Sequence, residues 1–220
     1  MCGRFDFHAS PDRVAQRYFG LERAGIDNPG PHYNVPPGVS ITVIHGQARE
    51  PVAFSRLHWG YQPFGAGDGA PTPINARAEK VAQSPFFREA FAHRRCLVPV
   101  NGWFEWQKTG SGKQPFYITC PEHSGDEVLF LAAIMDDRPA PGIAILTEPA
   151  AGHLEGIHPR QPVVLGTECL PRWLDRAVTE RQAIRRVAER FDSARLDCWP
   201  VSSAVNRPGN DGAELIQRLR

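Results

Sequence analysis

Between residues 95 and 150 the chain carries four apolar, β-branched and aromatic runs in close succession: CLVPVNGWFEWQ, QPFYITC, VLFLAAIM and GIAILT. Each is bounded by turn-forming residues and reads as a strand. GVSITVIHG and REPVAFSRLHWGYQP read the same way earlier in the chain. Helical patterns lie toward the two ends. SPDRVAQRYFG predicts a helix with Ser10 as N-cap, Pro11 in the first turn and Gly20 as the stop. Residues 78–93 read as helical up to a break at Pro85. Residues 167–174 and 179–190 also read as helices, PVSSAV as a last strand and DGAELIQRL as a short closing helix. Strands grouped in the middle with helices at both ends predict an α+β fold. The 220 residues fit a single domain, and 21 prolines and 20 glycines predict many turns between short strands.

A formal net charge of +1 excludes a general polycation, so nucleic-acid contact would need a local basic patch. Cys2, Cys96, Cys120, Cys169 and Cys198 are odd in number and widely spaced. That pattern predicts free thiols in a reducing cytoplasm, with no disulfide framework and no metal site. The start lacks an apolar signal segment and no run is long enough to span a bilayer, so no membrane partner is expected.

MCGRFDFH opens the chain, and its cysteine has no evident packing reason to stand at position 2. If Met1 is removed, Cys2 carries an α-amine and a thiol on adjacent carbons, with ordinary pKa values of about 8 and about 8.5. Two chemistries follow. The thiol can attack a carbonyl with its own amine as base, or the amine can form an imine with an aldehyde on which the thiol closes a thiazolidine. An incidental Cys2 fits this stretch equally. PINARAEK sets Asn75, Arg77 and Glu79 at alternate positions, suited to orienting a reacting group and holding a phosphate, or to a capped helix start. NGWFEWQ places Asn101, Trp103 and Glu105 on one strand face, with Phe104 and Trp106 on the other. A carboxylate among such aromatics is expected to be desolvated, with its pKa raised toward the range of proton transfer. GIHPRQPVVL puts His158 and Arg160 in a loop where an anion and a proton carrier could meet, though a solvated loop histidine reads the same. Arg77, Lys80, Arg88, Arg94 and Arg95 form a basic group, with Arg4 close to Cys2. HRRC runs straight into an apolar strand, where excess charge has no expected packing role.

Taken in order, MCGRF, YNVPPG, WGYQP, INARAE, RRCLVPVNGWFEWQ, KQPFYI, LAAI, GIHPRQPVVL, PVSSAVN and NDGAELIQ resemble the SOS response-associated peptidase (SRAP) family of abasic-site processing proteins. The resemblance runs from Met1 to about Gln217. It implies a single SRAP domain over 1–220, with central, curved, mostly antiparallel β-sheets of barrel-like form flanked by helices. It also implies a cytoplasmic sensor, nucleoid-associated when bound, that crosslinks itself through Cys2 to abasic sites in single-stranded DNA. Weak lyase activity, crosslink reversal and a peptidase activity are further implications, with no cofactor, and a monomer is expected. The family's catalytic positions fall on Cys2, Asn75, Glu105 and His158. Its DNA or sugar contacts fall on Arg4, Arg77 and Arg160, and Asn34 and Pro37 match the loop lining the site. A tryptophan pair of the family has no counterpart in FGAGDG, which offers Phe64 alone for base stacking, and a basic position of relatives is Pro85.

Two other classes share some of these features. An N-terminal-nucleophile amidohydrolase of the glutamine amidotransferase type also starts MCG, but there the Asn-Gly element is followed by Glu-x-Tyr-Asn, not WFEW. A non-covalent single-strand DNA binder would leave Cys2 without a role.

Overall fold

The computed structural model describes residues 2–46, 52–63, 65–67, 69–110 and 112–219. The apolar runs form strands. β1 (Phe5–Phe7), β2 (His32–Val35), β3 (Ser40–His45), β4 (Ala53–Trp59) and β5 (Asn75–Arg77) precede the central group. That group comprises β6 (Arg95–Val100), β7 (Gly102–Thr109), β8 (Gly112–Thr119), β9 (Leu129–Met135) and β10 (Gly142–Pro149). The short strands β11 (Arg160–Pro162), β12 (Val164–Leu165) and β13 (Asp197–Pro200) follow.

One sheet has the order β13-β8-β7-β1-β2. In the other, β3 joins β4 to β6, β6 pairs with β9, and β9 pairs with β10. β10 then runs parallel to β4, which closes the ring into a barrel-like cylinder. Only the β10 pairings with β4 and β5 are parallel among those described. The expectation of an α+β fold with curved, mostly antiparallel sheets is met. β6 and β9 are buried along nearly their whole length, so they read as continuous apolar runs and not as alternating ones. Trp59, Trp103 and Trp173 are fully enclosed in the main core. Phe104 turns to the other side of its strand and packs with Tyr117, Val201, Val205 and Leu215, with Trp106 against them. The alternation read in NGWFEWQ therefore separates two cores.

Some of the helices match the expected spans and others are shorter. α1 (Pro11–Phe19) ends at Gly20, whose φ of 65° suits glycine. Ser10 makes no side-chain cap; its carbonyl accepts from the Val14 N–H at 3.0 Å. Residues 78–87 form successive turns, and only α2 (Arg88–His93) is helical, because Pro85 lacks a donor and disfavours helix before it. A 3-10 turn at Thr167–Cys169 runs directly into α3 (Leu170–Leu174), so helical winding covers the expected 167–174, while α4 (Arg181–Val187), capped by the Glu180 carboxylate, is shorter than the expected 179–190. PVSSAV ends its strand at Pro200 and then turns, and the closing segment makes one tight 3-10 turn at Ala213–Ile216.

Arg95 corrects the expectation that charge before β6 has no packing role. It is buried, and its guanidinium donates to the carbonyls of Trp173 (2.8 Å), Asp175 (2.6 Å), Phe91 (3.1 Å) and Ala92 (2.7 Å). It thereby ties the end of α2 to the end of α3, a task the forked cation performs and lysine cannot.

Candidate active site

The barrel and the smaller sheet meet where the amino end lies. β1 pairs with β7 in the register Phe5↔Trp103, and the Phe104 N–H donates to the Arg4 carbonyl at 2.9 Å. Extending that antiparallel path back past β1 leads toward Glu105, whose charge acts on the Cys2 thiol. On the barrel side, β5 lies parallel to β10 with Asn75 opposite Ile145. Asn75 donates from Nδ2 to the Cys2 carbonyl at 2.8 Å, so the first residues are pinned between the two sheets. On the far edge of β10, Arg160 opens β11 opposite Pro149.

Cys2 is completely buried. Desolvation pushes its thiol pKa well above the ordinary value, and the Glu105 charge pushes it the same way; a bond from the Arg4 backbone N–H works against them. The thiol is therefore protonated at neutral pH. Glu105 is 3% exposed, and burial lifts its pKa from 4.5 to about 7. The desolvated carboxyl expected from NGWFEWQ is thus present, poised to take or give a proton near neutrality.

His158 Nδ1 stands 3.8 Å from a Glu105 carboxylate oxygen. The same nitrogen lies 3.0 Å from the Arg160 N–H and 2.9 Å from the Arg160 carbonyl. The backbone N–H is a fixed donor, so the neutral ring accepts from it at Nδ1 and carries its proton on Nε2. A protonated ring can instead donate to the carbonyl. Desolvation lowers the His158 pKa from its usual 6.5, which favours the neutral ring at pH 7.

Arg160 is held by a bidentate ion pair with Glu79, one arm of which measures 2.9 Å, and donates to Thr147 Oγ1 at 3.1 Å. The sequence reading put Asn75, Arg77 and Glu79 on one extended face. The strand stops at Arg77, and Glu79 instead turns to Arg160. Arg77 is exposed and lines, with Asn75, Lys80, Phe86 and Phe87, a cavity of about 610 Å³. Thr147, wholly buried on β10, was not singled out; only the barrel register shows that it supports Arg160.

The other predicted contacts are placed differently. Arg4 donates from Nη1 to Asn34 Oδ1 at 2.8 Å and to the Val205 carbonyl at 2.9 Å. Asn34 is buried, and its Nδ2 also reaches the carbonyls of Val205, Arg207 and Asn210. Its polar atoms tie the carboxyl-terminal segment to β2. Pro37 lies half-buried in the turn after β2, and Phe64 lies outside the described residues.

Arg4 Nε, Asn75 Oδ1 and Arg160 Nε are buried polar atoms without a hydrogen-bond partner among the described residues. Such atoms are rare in folded proteins, and three of them belong to residues of this one region. The two N–H donors suit an anion and the amide oxygen suits an ammonium or amine. No group of three or more His, Cys, Asp or Glu able to hold a metal is present among the described residues. No helix there is long and apolar enough to cross a membrane.

The family model described as SOS response associated peptidase (SRAP) matches residues 1–208. The abasic site processing protein YedK of Escherichia coli is 35% identical over 99% of both chains. The abasic site processing protein YoqW of Bacillus subtilis is 28% identical, again over 99% of both. A crystal structure of a Bacteroides thetaiotaomicron protein superposes with a TM-score of 0.81 over the full length of both chains at 23% identity, which speaks to the fold.

Proposed function

Because the chain belongs to the SOS response-associated peptidase family, we propose that it processes abasic sites in single-stranded DNA by bonding covalently to them through Cys2. The reaction starts after Met1 is removed. The freed α-amine adds to the ring-opened aldehyde of the abasic sugar to give a carbinolamine, and loss of water gives the imine. The thiol then adds across the carbon–nitrogen double bond. Its sulfur bonds the former aldehyde carbon and the nitrogen takes up a proton, closing the thiazolidine without any oxidant or reductant.

The observation that carries this reading is the placement of a fully buried Cys2, held at its carbonyl by Asn75, beside the buried Glu105 carboxyl, which in turn stands 3.8 Å from His158. Burial keeps the thiol protonated and lifts the carboxyl pKa to about 7. A thiol so raised is a poor thiolate for direct attack on an amide, so the amine acts first. Glu105 receives the thiol proton as sulfur adds, and returning it by the same path reverses the crosslink. His158, neutral and beside Glu105, supplies and removes protons at the sugar hydroxyls during ring opening. Asn75 holds the backbone of Cys2 and offers its free Oδ1 to the amine. Arg77, Arg160 and Arg4 provide positive charge for the flanking phosphates, with Asn34 and Pro37 shaping the wall on the Arg4 side. The imine also permits β-elimination, the source of a weak lyase activity, and removal of Met1 at this site would be the peptidase step.

Purified protein mixed with a single-stranded oligonucleotide bearing one abasic site is expected to give a band shift that survives heat and SDS. Cys2→Ala is expected to abolish it. An undiminished shift in the alanine variant, or none in wild-type protein lacking Met1, would overturn the proposal.

A further inference from the structure

The β7–β8 hairpin holds an arrangement that folding does not favour. Its register sets Lys108 directly opposite Lys113. Like charges directly across antiparallel strands repel, and such pairs destabilise a hairpin. Both lysines are exposed, and neither has an acidic or hydrogen-bonding partner among the described residues. The register also places Gln107 opposite Gln114 and Glu105 opposite Phe116, so the positive pair stands near the outer end of a strand that carries Glu105 at its middle.

The space beside this pair is a built cleft. It has a volume of about 500 Å³, with the hairpin on one side and residues 155–159 on the other. Gln107 Nε2 donates to the Gly156 carbonyl at 2.8 Å and clasps the two walls together. Glu105 and His158 both line it, and Lys108 is close enough to lower the His158 pKa. The exposed Glu155 also lines it. Trp106 is fixed by its indole N–H, which donates to Asn206 Oδ1 at 2.7 Å, and it too lines the cleft. The cavity containing Asn75, Arg77 and Lys80 is a separate one that includes neither Glu105 nor His158. Cys2 stands between them, bonded to Asn75 on one side and electrostatically coupled to Glu105 on the other.

We propose that the Lys108–Lys113 cleft is a second phosphate subsite, holding the sugar–phosphate backbone of the strand on the side of the lesion opposite to Arg77 and Lys80. This inference rests on the abasic-DNA reading of the same site. Two ammonium groups side by side match a run of phosphodiesters, whose binding turns the hairpin's repulsion into attraction. The strand then crosses the site from one cavity to the other, with the abasic sugar over Cys2. Lysine suits such contacts because a flexible ammonium holds a phosphate as a point charge.

The test uses the full chain and a single-stranded oligonucleotide carrying a tetrahydrofuran abasic analogue, which has no aldehyde. Its affinity is measured by fluorescence anisotropy across a range of salt. Each lost phosphate contact reduces the slope of log affinity against log salt by about 0.7 for single strands. The double variant Lys108→Gln, Lys113→Gln is expected to flatten the slope by about 0.7–1.4, and the double arginine variant to restore it. Shortening the oligonucleotide on one side of the analogue should erase the difference, while shortening the other side should leave it. A wild-type slope in the double glutamine variant overturns the subsite. Adduct formation by the wild-type protein on true abasic DNA is read separately: its failure removes the covalent reading, while the salt slope still decides the lysine pair.

Discussion

Replacing Glu105 with glutamine should have opposite effects on stability and on chemistry, and the stability effect depends on pH in a defined direction. Burial raises the Glu105 pKa from 4.5 to about 7, so the folded protein keeps this proton over a range where the unfolded chain has lost it. Between about pH 4.5 and 7 the native state binds more protons than the unfolded state, and stability falls as pH rises through that window. Once the carboxylate is ionised the folded protein bears a penalty of roughly 3 kcal/mol. Glutamine carries no charge at either pH. Relative to wild type, Glu105→Gln should therefore be more stable at pH 8 than at pH 5, by a difference approaching 3 kcal/mol. Any constant cost of burying the amide cancels in that comparison. For a chain of this length the relative shift is roughly 6–12 °C in melting temperature. Urea or thermal unfolding of both proteins at the two pH values measures it. A variant-minus-wild-type difference that does not change with pH would refute the burial argument. The same variant should form and reverse the DNA adduct at least tenfold more slowly, since it cannot accept the thiol proton.

Other substitutions test individual parts of the frame. Arg95→Met leaves the carbonyls at the ends of α2 and α3 without their donor and is expected to lower stability by about 2–4 kcal/mol, with Arg95→Lys recovering little, as read by chemical denaturation. Asn34→Ala releases the carbonyls of Val205, Arg207 and Asn210, and hydrogen exchange over 203–217 should accelerate while the β6–β9 core stays protected. Gly102→Ala would place a methyl group 2.5 Å from the Tyr117 ring and 2.6 Å from the Ile118 carbonyl oxygen, and soluble yield and cooperative unfolding should both fall sharply.

The sequence was most legible where periodicity and chemistry coincide. NGWFEWQ already shows a strand whose alternate side chains enter two different cores, and it marks Glu105 as a desolvated acid, whereas the break at Asn101 that divides CLVPVNGWFEWQ into β6 and β7 of different sheets was not legible. Proline and glycine also announced themselves: Gly20 closes α1, and Pro85 confines α2 to its last residues. Long-range pairings were not legible. Nothing local in INARAE indicates that Glu79 turns away from Arg77 to hold Arg160, or that Thr147 completes the anchor. Arg95 and Asn34 looked like surface cations and site linings because sequence cannot show a side chain bonding to distant carbonyls. The Lys108–Lys113 pair depended on hairpin register, and KTGSGK was the local signal that could have given it.

The central claim is that the amine and the thiol of Cys2 both bond to one carbon of the abasic sugar. Intact mass spectrometry of the purified adduct, before and after borohydride and then iodoacetamide, tests it directly. A thiazolidine has the mass of Met1-less protein plus DNA minus one water, takes up no hydrogen from borohydride, and leaves the Cys2 thiol closed to alkylation. An adduct that gains two hydrogens under borohydride and is alkylated at Cys2 would be an open imine and would contradict the account.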